Sequence, residues 1–118
     1  MSCVLVVGYA PKALPGTDAE AVIAALDAES ARFRERGIDA GVALVTFDAA
    51  TEEALVASLC ERAWDVVVIG GGIRKTEQLV PLFERIVNLV RRHAPQADLA
   101  FNSGVGDSVE AAERWLPA

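Results

Sequence analysis

The chain has 118 residues, 53% hydrophobic and 24% charged, with a formal net charge of -6. That length buries one core and not two, the balance excludes a disordered chain, and the acidity argues against a broad surface for a phosphate backbone, so nucleic acid is not an expected partner. Cys3 and Cys60 stand too far apart for a metal or redox motif and read as two small apolar fillers.

In chain order, the first apolar run is Cys3 to Val7. No basic segment precedes it, and no apolar stretch approaches the roughly 20 residues of a membrane span, so a cytoplasmic location without membrane contact is expected. Ala10 to Gly16, with two prolines and a glycine, is predicted as the one long loop. Thr17 and Glu20 have the spacing of a capping box, Val22, Leu26 and Phe33 share one face, and Gly37 is placed to end a helix over residues 18–36. A second apolar run extends from Val42 to Phe47. Thr51 with Glu52 and Glu53 then predicts a helix start, with Leu55, Leu59 and Ala63 facing inward.

Val66 to Ile69 is apolar at every position. Runs of this kind, without alternation, predict strands covered on both faces, as in a parallel sheet between helices. After it, Thr76 to Val80 reads as a short turn that puts Pro81 at the first position of the next helix, where the missing N–H costs nothing. Leu82, Phe83, Ile86, Val87, Leu89 and Val90 form a band wider than one sheet face requires, which predicts a homodimer through the 82–90 helix. Pro95 ends that helix, and Ala97 to Phe101 is a weaker fourth strand. Asp107, with Glu110 three positions on, is read as the cap of a last helix that sets Val109, Ala112 and Leu116 together.

The order βαβαβαβα with short connections predicts right-handed crossovers and a single α/β domain over residues 1–118. The expected architecture is a three-layer α/β/α sandwich whose four-stranded parallel sheet has the flavodoxin-like order 2-1-3-4. In such sheets ligands bind beyond the carboxyl ends of the strands where the order reverses, here between strands one and three. The loops expected to meet there are Gly8-Tyr9-Ala10-Pro11-Lys12, Gly70 to Lys75, and Asn102 to Ser108.

The candidate ligand-binding residues are Gly8, Tyr9, Gly70, Gly71, Gly72, Arg74, Lys75, Asn102, Ser103 and Gly104. Three glycines at a strand end allow close approach of a ligand to the backbone, and Arg74 and Lys75 beside free N–H groups suit a phosphate or carboxylate. Arg74 is expected to be exposed, with a mobile guanidinium, so its loss should weaken a ligand and spare the fold. In the competing account the glycines make a tight turn and Arg74 holds the loop together. Asn102 and Ser103 can donate to an anion or a base edge, and Tyr9 can stack on a ring or roof the core.

His93, the sole histidine, follows Arg91 and Arg92 in the last turn of a helix, where a cation is favourable without any catalytic part. That leaves no ordinary Ser-His-Asp or Cys-His machinery and no metal-ligand spacing. Glu20, Asp27, Glu29, Glu52, Glu53, Glu61 and Glu84 read as exposed helix faces.

Known families can be set against these loops. Response-regulator receivers need acidic residues where Gly8-Tyr9 stands and a phosphorylated aspartate where Gly70 stands. Flavodoxins need a hydroxyl-rich loop where Tyr9-Ala10-Pro11-Lys12-Ala13 stands, and cobalamin-binding domains need a ligand histidine there. Gly71 to Glu77 departs in spacing from the phosphate loop of lysine-decarboxylase-like phosphoribohydrolases. Gly70-Gly71-Gly72-Ile73-Arg74, Leu82-Phe83-Glu84, Ala94-Pro95, Phe101-Asn102 and Arg114-Trp115 resemble a group of small bacterial hypothetical proteins of flavodoxin-like or Rossmann-like type, with a GGGIR loop and an FN motif. The resemblance covers mainly the C-terminal half and brings no activity or cofactor with it. The expected function is binding of an anionic small molecule, a nucleotide or phosphorylated metabolite, with no reaction assigned. The alternative is a non-catalytic interaction or regulatory module acting as a homodimer.

Overall fold

The computed structural model describes residues 2–10, 18–46 and 48–117; the expectations placed on Pro11, Lys12, Thr17 and Phe47 lie outside the described residues. Four strands, β1 (Cys3–Tyr9), β2 (Asp39–Val45), β3 (Val66–Ile69) and β4 (Asp98–Phe101), form one sheet of order β2-β1-β3-β4. All three pairings are parallel, with Val4 opposite Val66, Val7 opposite Ile69, Gly8 opposite Leu44 and Ile69 opposite Phe101. The expected 2-1-3-4 sheet is therefore the observed one, and no helix among the described residues is long and apolar enough to cross a membrane.

Among the described residues, five helices flank the strands: α1 (Ala19–Glu35), α2 (Ala49–Cys60), α3 (Gly71–Arg74), α4 (Val80–His93) and α5 (Ser108–Glu113). Asp18 caps α1, accepting from the Ala21 N–H at 3.1 Å, and the chain leaves that helix through Gly37 at φ 71°, a conformation open to glycine and strained for other residues. The second helix starts two residues before Thr51, because Asp48 accepts from the Thr51 N–H at 2.9 Å and is the cap. It ends at Cys60, so Ala63 is exposed instead of facing inward, and Cys60 is exposed rather than a buried filler.

Two apolar clusters sandwich the sheet. On one side Leu5, Val7, Val67 and Ile69 pack against Leu55 and Leu59 of α2 and Ile86, Leu89 and Val90 of α4; on the other, Val4, Val6, Val66 and Val68 pack against Phe33, Val109 and Ala112. β1 and β3 are central and covered on both faces, as their unbroken apolar runs require. β2 departs from that expectation: it is an edge strand, and Val42 and Leu44 are exposed.

The wide band on α4 has an intrachain explanation. Leu82, Ile86, Leu89 and Val90 are buried, and Phe83 and Val87 are half-buried against the same cluster, because α4 packs on both the sheet and α2. Pro81 lies in its first turn, after a 3-10 turn at Glu77–Leu79.

Glu29 is a second departure. Expected on an exposed face, it is 5% exposed, accepts from the Val109 N–H at 2.8 Å, and is bonded by Arg32 at 3.0 Å. A carboxylate can be buried here because an amide and a guanidinium satisfy it.

Candidate functional site

The carboxyl ends of β1 and β3 lie side by side, and the chain turns away from β3 through three glycines. The Gly70 N–H continues the ladder to the Val7 carbonyl at 2.8 Å, and a Cβ on Gly70 would meet that oxygen at 3.3 Å. Packing thus disfavours a side chain at 70, and equally at 71, where a Cβ would approach the Ser103 carbonyl oxygen to 3.3 Å.

Gly72 and Gly104 differ. Neither has a positive φ, and a Cβ on either would meet nothing within 4 Å. Conformation and packing both admit a side chain at these two positions.

The α3 turn begins at Gly71, and the loop after β4 is tied to it by a buried amide. Asn102, 3% exposed, accepts from the Gly71 N–H at 3.0 Å and donates to the Ser108 hydroxyl at 2.9 Å. Its side chain braces the two loops, with its carbonyl oxygen and one N–H engaged within the chain. Ser103 likewise spends its hydroxyl on Asp107 at 2.5 Å.

Contrary to expectation, Asp107 does not cap the last helix; its carboxylate closes the loop ahead of it. It accepts from the N–H groups of Ser103 at 2.9 Å and Gly104 at 3.2 Å. Burial alone would push its carboxyl up; the Ser103 hydroxyl, the Gly104 and Ser103 amides and the Arg114 charge outweigh that and hold it below the ordinary carboxylate value.

Arg74 overturns its expectation most clearly. The side chain is half-buried, donates from Nε to the Ile69 carbonyl at 3.1 Å, bonds the Asn102 carbonyl through Nη2, and lies over the Phe101 ring at 5.3 Å. It joins the ends of β3 and β4, a planar fork pairing with two carbonyls that have left the ladder. Lys75 donates to the Ser103 carbonyl at 2.6 Å, which leaves two of its three protons for another acceptor.

These loops enclose a pocket of about 430 Å³. Gly8, Tyr9, Gly70, Gly71, Gly72, Lys75, Asn102, Ser103 and Gly104 all line it, so nine of the ten sequence candidates meet in one place; Arg74 does not line it. Tyr9 does so while packing, partly buried, against the core. Among the described residues, Val22 and Leu26 of α1, Leu44, Thr76 and Val105 also line it and were missed. Leu44 was within reach of the sequence, since order 2-1-3 sets the end of β2 beside the end of β1.

A second cavity of about 230 Å³ lies between α2 and α4, walled by Val45, Leu55, Leu82, Ile86 and Leu89, with Asp48, Glu52 and Arg85 at its rim. His93 is far from the glycine loops, at the end of α4, with Nδ1 3.9 Å from Cys60 Sγ. Among the described residues, no group of three His, Cys, Asp or Glu is placed to hold a metal ion.

No family model matches the chain, and no curated protein matches it. Among solved structures it is similar to a fragment from Peptoclostridium difficile 630 described as a "putative lipoprotein", with 17% identity and a TM-score of 0.50, over 86% of this chain and 72% of that one. At that identity the likeness shows the fold alone.

Proposed function

We propose that the chain binds an anionic small molecule, a nucleotide or phosphorylated metabolite, in the pocket at the carboxyl ends of β1 and β3. One observation carries the reading: Gly72 and Gly104 line this pocket although neither their conformation nor their packing calls for glycine. At Gly72, which lies in a helical turn, glycine costs about 0.5–1 kcal/mol relative to alanine, so open space kept at that cost is space for something outside the chain. Lys75 is the cation on the wall, with two N–H donors to spare. The volume lies within the usual range for small-molecule sites, roughly 300–1,000 Å³, and the position is the switch point of the strand order.

Gly72→Val tests this. A Cβ at this pocket-lining position meets nothing within 4 Å, so on this reading phosphate, ribose phosphates and common nucleotides should bind at least about tenfold more weakly, a change of about 1.4 kcal/mol, with the melting temperature unchanged or raised. Unaltered affinity, or loss of the fold in parallel with affinity, would count against it.

A second reading, a homodimeric interaction or regulatory module, is supported by the open edge at β4. There Phe101 is exposed and meets Phe83 of the α4 band edge-on at 6.0 Å. Phe101→Lys should abolish any dimer seen by sedimentation, and a monomeric parent protein at high concentration removes this reading.

A further inference from the structure

The pocket has two chemically distinct ends. Gly71, Gly72, Lys75, Thr76, Ser103 and Gly104 form a polar end built mostly of backbone. Facing it is an apolar wall of Val22, Leu26 and Leu44, with Tyr9 at the end of β1.

The apolar wall does not serve the core. Leu44 is 40% exposed, and Val22 and Leu26 are only half-buried. Val42, on the same face of β2 as Leu44 and beside Leu26, is 43% exposed, and Ile23 of α1 is 42% exposed. Val80, Phe101 and Trp115 are exposed elsewhere, so this wall is one of the places where the fold leaves hydrocarbon in water, and the one that borders this pocket. Each Å² left there forgoes roughly 25 cal/mol, and contiguous apolar surface beside a pocket marks a place where an apolar group is received.

We infer that the ligand of this pocket is amphiphilic: a phosphate monoester whose body is an apolar ring or short chain, with the phosphate at the Gly72/Lys75 end and the body against Leu44, Val22 and Leu26. This rests on the anion-site reading above and narrows it. Sugar phosphates, whose hydroxyls would face hydrocarbon with no partner, are disfavoured because an unpaired polar group costs more to desolvate than the contact returns. A small molecule is favoured over a peptide or a lipid surface because the pocket volume of about 430 Å³ lies within the roughly 300–1,000 Å³ usual for small-molecule sites.

The test holds the anion constant and changes the body. Phenyl phosphate, ribose 5-phosphate, inorganic phosphate and phenol are titrated separately into the whole chain by calorimetry or by amide chemical shifts. Phenyl phosphate should bind about tenfold tighter than ribose 5-phosphate, equivalent to about 1.4 kcal/mol. Leu44→Thr, and Val22→Thr as the independent second variant, should bring that ratio towards one. Equal affinities for the two monoesters would overturn the inference and leave the anion site standing. No response to any phosphate at about ten millimolar would overturn both. Phenol binding without phosphate binding would show an apolar slot with no anion site, which also overturns the inference.

Discussion

The two cavities open near the same end of the sheet and are built in opposite ways. Between α2 and α4 the large apolar wall residues, Val45, Leu55, Leu82, Ile86 and Leu89, are buried and belong to the core. At the ends of β1 and β3 the wall is backbone and glycine on one side and half-exposed hydrocarbon on the other. The rim of the first cavity is settled within the chain: Arg85 is paired with Glu52, and Asp48 with Thr46 and Thr51. A gap between well-buried side chains is a shortfall of packing between two helices. A gap lined by glycines that nothing obliges to be glycine is space held open.

The largest effect expected from this contrast is on the helix side. Ile86→Ala removes a side chain that is buried at the wall of the first cavity and should cost about 3 kcal/mol of unfolding free energy in urea, within the range for such truncations, with little change in phosphate affinity. Loss of affinity as great as the loss of stability would mean the two regions are one cooperative site.

Next is Arg74→Ala. It leaves the Ile69 and Asn102 carbonyls short of a donor and removes a cation from the Phe101 face, so stability should fall by about 2 kcal/mol. Because Arg74 does not line the pocket, phosphate affinity should change less than in Gly72→Val. The reverse pattern would restore the direct ligand contact that the residue order suggests.

Gly72→Ala should raise stability by about 0.5 kcal/mol, since alanine fits the helical turn and loses less backbone entropy on folding. A drop in melting temperature would show that the open space around Gly72 is needed by the protein itself.

The smallest expected effect is on acid stability. Asp48 is held below the ordinary carboxylate value by the Thr46 hydroxyl and then the Thr51 amide and hydroxyl, and Asp107 by the Ser103 and Gly104 groups that outweigh its burial. With the folded value depressed, the unfolded chain binds more protons in acid. Their contribution is therefore present above the ordinary range near about pH 4 and is lost as pH falls through the depressed folded values. Urea unfolding at several pH values should show Asp48→Asn and Asp107→Asn each flattening the acid limb, and only Asp107→Asn should alter the binding loop.

The sheet was legible because its signals act over short distances. Four apolar runs and the caps between them specify strands and helices, and connection length with crossover handedness leaves few strand orders. Meeting of the glycine loops followed from that order. The use of each polar side chain did not, because it depends on which carbonyl ends up unpaired: Arg74 and Asn102 are consumed by backbone groups whose ladder partners run out at the ends of β3 and β4. Glu29 was misread for the same reason, since its partner amide belongs to Val109, 80 residues away. The apolar wall was missed because Val22 and Leu26 have helical core spacing, and the run holding Val42 and Leu44 was read as doubly covered although the expected order 2-1-3-4 already sets strand two at an edge.

The central claim, that the space at the ends of β1 and β3 is a ligand site, is tested most directly by following backbone amide shifts of the whole chain as phenyl phosphate is added. The account predicts saturable shifts concentrated at Gly71, Gly72, Lys75, Ser103, Gly104 and Leu44, with amides around Leu55, Ile86 and Leu89 unmoved. Shifts centred on the α2–α4 cavity, or no shift at about ten millimolar, would contradict it.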